Sequence, residues 1–338
     1  MKIVYILILW LAFLPHGYSQ HKNYENLVFE GAGIRGIAYS GALRQLEKAG
    51  IINNIKKVGG TSAGAITALM VSLGYNSKEI YDIISETKFE KFNDGAYIFF
   101  GGFSRLNGNY GWYKGNEFTE WLETIIKNKT NDTEITFQEL KEKGFKQLYV
   151  TATCMNKQRL LVFSSETYPQ MKIKDAVRIS MSIPLYFEAV FIDSTGKVYN
   201  KHKNNKNLDV VVDGGIVGNF PIIIFDSIGL DSDNRKIRIP NYKTIGVRID
   251  SDSQIQSDTL NKDLVPMPIN NINDYLEAFY IIILENLNRN QLMPEDWKRT
   301  ISVSDVGITP RIKRLTKEQK EALIASGEQH TLEFLQKK

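Results

Sequence analysis

Two passages near the beginning of this chain follow the same plan, in which a short apolar segment leads through a glycine-rich turn into a helical pattern. In the first passage the apolar segment is residues 27–30, the turn is residues 31–36 and the helical pattern covers residues 36–49. In the second, residues 55–59 lead through residues 60–64 into a helical pattern over residues 65–73. Strands that alternate with helices are typical of a parallel sheet covered on both faces. We therefore predict an α/β fold, a three-layer α/β/α sandwich with a mainly parallel central sheet.

Patterns of both kinds continue along the chain. Strands are predicted at residues 147–153, 210–212, 244–249 and 300–303, and helices at residues 118–126, 274–287 and 317–336. In the helix over residues 274–287 we expect four apolar side chains to face the core: Tyr275, Phe279, Ile282 and Ile283. No linker rich in proline, glycine or serine divides the chain, so we predict a single domain over residues 24–338.

Residues 1–19 have the pattern of a cleaved secretory signal peptide. Lys2 supplies a positive charge, residues 3–14 form an apolar run, and the small residues Gly17 and Ser19 stand where a signal peptidase would cleave. This apolar run is too short to span a bilayer, which takes about 20 residues. The segment predicts a periplasmic or secreted protein.

Composition excludes several classes of protein. The formal net charge is only +4 at pH 7, without a dense run of Lys and Arg, so we do not expect nucleic acid as a partner. Cys154 is the single cysteine, which rules out an intramolecular disulfide. The four histidines lack metal-site spacing, so we predict no metal and no cofactor.

The first glycine turn suits the binding of an anion. Gly31, Gly33 and Gly36 allow the backbone to turn sharply and to present its N–H groups at the start of a helix. The same spacing occurs in dinucleotide-binding folds, where an acidic residue follows about 20 residues later at the end of the second strand. Here the second strand runs into another glycine turn instead, so we favour the binding of an oxyanion.

The second glycine turn has the sequence of a nucleophile elbow. Ser62 is flanked by Gly60 and Gly64, and the small flanking residues let strand and helix approach each other around a strained serine. The turn therefore predicts Ser62 as a nucleophile.

The partner of this serine is the open question, because histidines are scarce. His202 lies in a polar stretch that suggests solvent exposure, and His330 lies inside a predicted helix. A triad of Ser62, an acid and His330 would follow the chain order of the α/β-hydrolases. The best-placed carboxylate is Asp213, which ends an apolar strand and precedes two glycines, although an Asp there could also cap a turn.

Taken together, the glycine loop, the elbow at Ser62 and the Asp213-Gly214-Gly215 turn resemble the patatin-like phospholipase family. The serine and proline block over residues 179–184 and the continuation Asn219-Phe220-Pro221 extend the likeness. The resemblance implies that Ser62 is the nucleophile and Asp213 its base. It also implies an oxyanion hole built from backbone N–H groups of the following residues: Gly33, Ile34, Arg35 and Gly36.

Ala32 stands where the family often has a glycine, which raises the question of whether its backbone needs a positive φ. Arg35 either orients the loop or is solvated beside it.

The expected function is a serine esterase acting on lipids, of phospholipase A or lysophospholipase type, which works through an acyl-enzyme. Two alternatives stay open: a water-soluble carboxylesterase with a triad that uses His330, and a catalytically silent lipid-binding protein. The expected partners are an acyl lipid and a membrane or micelle surface, contacted by residues 97–103 and by the basic residues 197–206. The sequence does not indicate the oligomeric state.

Overall fold

A sheet of nine strands organises the part of the chain that the computed structural model describes, namely residues 23–95, 98–199, 208–260, 264–283, 289, 292–310 and 314–337. The predicted signal peptide, His202 and most of the basic segment lie outside these residues. The strands are β1 Asn26–Phe29, β2 Lys57–Gly60, β3 Gly111–Tyr113, β4 Gln147–Cys154, β5 Arg159–Phe163, β6 Leu185–Phe187, β7 Val190–Ile192, β8 Val198–Tyr199, β9 Asp209–Asp213, β10 Ser227–Leu230, β11 Lys236–Ile239, β12 Thr244–Asp250 and β13 Thr300–Ser304.

Helices connect and cover these strands. They are α1 Ala38–Lys48, α2 Ile51–Asn54, α3 Ala63–Ser72, α4 Ser77–Glu86, α5 Ile98–Asn109, α6 Asn116–Thr130, α7 Phe137–Glu142, α8 Ile173–Ser180, α9 Gly215–Gly218, α10 Asp252–Thr259, α11 Ile272–Ile281, α12 Pro294–Trp297 and α13 Lys317–Gln336, with short 3-10 helices at Gly33–Ile37, Phe89–Phe92 and Ile222–Phe225. None of the helices described here combines the length and the apolar character that crossing a bilayer requires.

The strand order is β13-β12-β1-β2-β4-β9-β7-β8, with β5 paired to β4. The central strands from β13 to β4 are parallel, whereas β5 and β9 run antiparallel to β4. The prediction of an α/β sandwich around a mainly parallel sheet is confirmed. Strands from both ends of the described chain, β1 and β13, belong to this one sheet.

Glycines in β2 show how closely the layers meet. Successive residues of a strand point to opposite faces of the sheet. A Cβ on Gly60 would collide with the backbone of Gly64 in α3, whereas one on Gly59 would lie 2.8 Å from a methyl carbon of Ile224. The two faces of β2 are therefore covered by different segments, α3 on one side and the 3-10 helix Ile222–Phe225 on the other.

One sequence expectation about the chain outside the sheet needs correction. Tyr275, Phe279 and Ile282 were expected to face the core, but each is more than half exposed. Apolar spacing along a helix defines a face, and it does not say what covers that face. Residues 97–103, which show no period in the sequence, belong from residue 98 onward to α5.

Candidate active site

Ser62 occupies a strained turn between β2 and α3. Its φ of 53° and ψ of −123° lie in a region that non-glycine residues rarely adopt, and such strain concentrates at functional sites. A Cβ on Gly64 would collide with carbonyl oxygens of Phe29 and Glu30 in the neighbouring β1 segment. Glycine is thus the residue that lets α3 begin against β1, as an elbow of this kind requires.

Two residues at the end of α8 contact Ser62 directly: Ser180 is the last residue of the helix, and Met181 follows it. The Ser62 N–H donates to Oγ of Ser180 at 2.9 Å, and the Ser62 hydroxyl points to Sδ of Met181 at 3.4 Å. The sequence indicates the block that contains Ser180 and Met181 but gives neither of them a role. The contacts depend on how α8 packs beside α3, which spacing along the chain does not reveal.

Asp213 reaches the same place from the end of β9. The turns at Ser62 and Asp213 do not follow adjacent strands, because β4 lies between β2 and β9, and β9 runs antiparallel to β4. Thr151 of β4 bridges the gap: its Oγ1 lies 2.5 Å from Oγ1 of Thr61, and a Cβ on Gly214 would lie 2.6 Å from the same oxygen. Gly214 therefore allows the turn after Asp213 to close over β4.

The carboxyl group of Asp213 is buried and only partly hydrogen-bonded. Its residue is 2% exposed, and Oδ1 accepts the Gly215 N–H at 2.7 Å. Oδ2 accepts no hydrogen bond from the residues that the structure describes. Burial raises the pKa of Asp213 to about 7, and the Gly215 N–H and the nearby Ser62 hydroxyl lower this pKa by smaller amounts. A carboxyl group that titrates near neutrality can exchange a proton with a hydroxyl beside it.

The glycine loop forms the 3-10 helix Gly33–Ile37 above the serine. Ala32 has an ordinary φ of −135°, so this position does not need a glycine, whereas Gly33 has a φ of 55°. The N–H of Arg35 donates to Ala32 O at 3.2 Å. Gly33 and Ile34 precede it, and the N–H groups that begin a helix have no acceptor within it. Of the predicted oxyanion-hole residues, the amides of Gly33 and Ile34 are therefore better placed than that of Arg35 to bind an anion.

Buried polar contacts hold this loop in place. Asn219 donates from Nδ2 to Gly31 O at 2.9 Å, and the Gly31 N–H donates to Asn219 O at 3.1 Å. The Arg35 side chain is buried, donates from Nε to Ala32 O at 3.2 Å and lies 3.6 Å from the carboxylate of Asp305. Arg35 thus orients the loop and is not solvated beside it.

An apolar pocket opens in front of these groups. Gly33, Ile34, Gly36 and Ser62 line one side of it. The rest of its wall is almost entirely apolar and includes Ile37, Ile66, Ile84, Phe89, Phe92, Met181, Ile183 and Phe187. The empty space in the pocket together with its open mouth amounts to about 690 Å³. A long hydrocarbon chain suits such a wall better than a polar ligand does.

His330 is not part of this arrangement. It lies in α13, where its Nδ1 is 2.9 Å from Ser326 O one turn earlier, and it is absent from the residues that line the pocket at Ser62. In the described part of the chain, no group of three or more His, Cys, Asp or Glu side chains is arranged to hold a metal ion. Among the residues that the structure describes, the groups at Ser62 that can take part in chemistry are a hydroxyl, a carboxyl group and backbone amides.

Some known proteins are similar to this chain in sequence, and others are similar in fold. An uncharacterized protein of Acanthamoeba polyphaga mimivirus is 29% identical over 305 residues, which are 90% of this chain and 91% of that protein. A protein named probable lipid hydrolase 463L, from Invertebrate iridescent virus 6, is 32% identical over 212 residues, 62% of this chain and 66% of that protein. The crystal structure of VipD from Legionella pneumophila superposes with a TM-score of 0.56 at 17% identity, over 93% of this chain and 67% of that one.

The model of one family, described as patatin-like phospholipase, matches residues 27–226. These residues contain the glycine loop, the serine elbow and the turn at Asp213. Because the match covers more than half of the chain, this chain belongs to the patatin-like phospholipase family, whose members hydrolyse ester bonds in lipids.

Proposed function

We propose that this chain is a phospholipase of the A or lysophospholipase type, which cleaves acyl ester bonds with a dyad of Ser62 and Asp213. The observation that carries the proposal is the convergence of three features at one point. A strained serine, a buried carboxyl group with a pKa of about 7 and an apolar pocket meet beneath a loop of backbone amides. An ester carbonyl whose acyl chain lies in the pocket would stand in front of all of them.

The proposed reaction begins with a rotation of the Ser62 hydroxyl. The hydroxyl turns from Met181 towards Oδ2 of Asp213, the buried oxygen that has no donor in the described chain. Asp213 takes the proton as Oγ attacks the carbonyl carbon. When the C–O bond breaks, Asp213 returns this proton to the leaving alcohol, and water then hydrolyses the acyl-enzyme by the same route.

The amides of the glycine loop would stabilise the negative charge that develops on the carbonyl oxygen. Gly33 and Ile34 offer the first N–H groups of the 3-10 helix, and Gly36 lines the pocket beside them. One such donor contributes about 3 kcal/mol to the stability of the transition state in comparable sites. We expect esters to be cleaved in preference to amides, because the alcohol of an ester leaves the tetrahedral intermediate more readily than the amine of an amide does.

A fluorophosphonate with a long alkyl chain tests the nucleophile. Oγ of Ser62 should form a bond to phosphorus as fluoride leaves, and peptide mass spectrometry should locate the adduct at Ser62. Ser62→Ala should abolish the labelling. Ser227→Ala, a change at an exposed serine of β10, should leave it unchanged.

Two results would overturn the proposed function. Absence of labelling in folded protein would favour a silent lipid-binding protein, and labelling that survives Ser62→Ala would place the nucleophile elsewhere.

A phosphatidylcholine with two different acyl chains then identifies the type of enzyme from the fatty acid released. If hydrolysis of a short-chain ester shows no rise when the substrate forms micelles, a water-soluble carboxylesterase is the better description.

We also propose that the mature protein begins after Ser19 and acts in the periplasm or outside the cell. This proposal rests on the sequence pattern of residues 1–19 alone. N-terminal mass analysis of the protein recovered from the periplasm and the medium tests it, and a protein recovered with Met1 in the cytoplasm would contradict it.

A further inference from the structure

The mouth of the pocket at Ser62 is bordered by an outer apolar basin. Ile183 and Tyr280 line both the pocket and this basin, whose wall also includes Trp112, Leu185 and Pro310. The apolar surface is therefore continuous from the outside of the molecule to the serine.

Leu185 stands out in this basin because it is both exposed and strained. It is 67% exposed, and its φ of 67° lies in the left-handed region, where a side chain with a Cβ is disfavoured. Because Leu185 is exposed, its side chain buries little apolar surface in the fold, and burial does not offset the energetic cost of this φ. Packing of the protein itself therefore gives no reason for an apolar side chain at this point.

Helix α11 and the residue that follows it present a second exposed apolar surface next to the basin. Ile272, Tyr275, Phe279 and Ile282 follow each other at intervals of three and four residues and are each at least 55% exposed. Tyr280, on the same helix, lines the mouth of the pocket. We call Leu185 and these four residues the rim.

The acidic residue in the first turn of α11, Asp274, accepts hydrogen bonds from the Asn270 N–H at 2.9 Å and from Nδ2 of Asn271 at 3.0 Å. These two hydrogen bonds hold the Asp274 carboxylate at the start of the helix. Large exposed apolar surfaces of this kind mark sites of contact with a partner or a membrane.

We propose that the rim docks on a lipid surface and seats the mouth of the pocket against it. This inference rests on the proposed function, because it assumes that the pocket at Ser62 receives an acyl chain. An acyl chain that moves from a membrane into the pocket avoids contact with water only where the pocket mouth touches the lipid. A protein partner or a second copy on the rim would cover the mouth, whereas a lipid surface supplies the substrate through it.

Vesicle binding in the Ser62→Ala background tests the proposal without hydrolysis of the vesicles. Sedimentation with phosphatidylcholine vesicles should carry this protein down. Leu185→Gly should lower the partition coefficient at least about tenfold, because the variant lacks one large apolar side chain whose transfer from water to lipid favours binding. Glycine suits the φ at this position, so we expect no loss of thermal stability. Tyr275→Gln with Phe279→Gln should lower binding as much or more.

Leu230→Gln is the matched control. Leu230 is 62% exposed on the β10–β11 hairpin, which lies beside the amino end of β12. Ser62 follows the carboxyl end of β2, which runs in the same direction as β12, so the hairpin lies at the opposite end of the strands from Ser62. This control should bind like its parent. Equal binding by the rim variants, or an equal loss in Leu230→Gln, would overturn the proposal.

A dimer in lipid-free solution that the rim variants dissociate would also overturn it, in favour of contact between copies. The readout is binding and not turnover, so failure of the docking surface is separable from failure of the proposed reaction, which fluorophosphonate labelling reports.

Discussion

Asp213 is the base in the proposed reaction, and burial is what raises its pKa. Water no longer stabilises its charged form, and the Gly215 N–H and the Ser62 hydroxyl compensate only in part, so its pKa reaches about 7. The sequence identifies the residue as an Asp at the end of an apolar strand. It does not reveal the depth of burial, which depends on β4, α8 and the turn at Gly214.

The first prediction concerns the pH dependence of the reaction. The base must be ionised to accept the Ser62 proton, so kcat/KM should rise with pH and level off above an apparent pKa of about 7. A pH profile between pH 5 and 9, with a soluble ester as substrate, checks this. A rate that is already constant from pH 5 upward would contradict a buried carboxylate as the base.

The second prediction concerns stability. The pKa of Asp213 is higher in the folded protein than in the unfolded chain, so the folded state binds more protons at intermediate pH and loses stability as pH rises towards 7. Above pH 7 the resulting loss in the free energy of unfolding, relative to low pH, approaches about 4 kcal/mol. Asp213→Asn keeps the shape without the charge and should therefore be more stable than the parent, by a margin that grows between pH 4 and pH 7.

Thermal unfolding of the two proteins at pH 5 and at pH 8 measures this margin. The gain in melting temperature should be clearly larger at pH 8. The same gain at both values would mean that Asp213 does not carry a buried charge.

At the scale of elements, helices α1 and α13 hold the first βα unit against the last one. A Cβ on Gly41 would collide with the backbone of α13 at Ile324, and one on Gly327 would collide with the backbone of α1 at Ala38. Neither residue has an unusual φ, so what the positions require is the close approach of two backbones.

A pair of glycine substitutions tests this packing. Gly327→Ala should destabilise the fold by about 1–3 kcal/mol, since the helices must move apart. In the part of the chain that the structure describes, no atom lies within 4 Å of a Cβ added at Gly108 in α5, so Gly108→Ala should stabilise the helix by about 0.5–1 kcal/mol. Denaturant unfolding measures both, and a gain in stability from Gly327→Ala would contradict the packing described.

Elements were predictable from sequence where local patterns decide them. Helix α13 has the predicted bounds, and the strands around the glycine turns differ from the prediction by one or two residues at each end. The direction of β9 was not predictable, because an apolar run shows burial and not orientation. The apolar stripe of α11 defines one face of a helix but does not show what covers that face, and the structure leaves it exposed.

At the scale of the whole molecule, the site gathers residues that are remote in sequence at one edge of the sheet. The glycine loop, the serine and Asp213 were each visible as motifs, because glycine spacing and a strand end leave local traces. Ser180 contacts the serine and the carbonyl of Pro310 lies against Gly33, but neither contact has a local trace. The last strands also lie beyond the family match at residues 27–226, yet β12 pairs with β1 at the base of the glycine loop.

The central claim is that a carboxylate, and not an imidazole, activates Ser62. The most direct test compares the kcat of Asp213→Asn with that of His330→Ala for one ester substrate, after melting curves have shown both proteins to be folded. We predict that Asp213→Asn lowers kcat by ~10³-fold or more, the scale of loss of a catalytic base or its orienting partner, while His330→Ala keeps most of the activity. Full activity in Asp213→Asn together with an inactive His330→Ala would contradict the account.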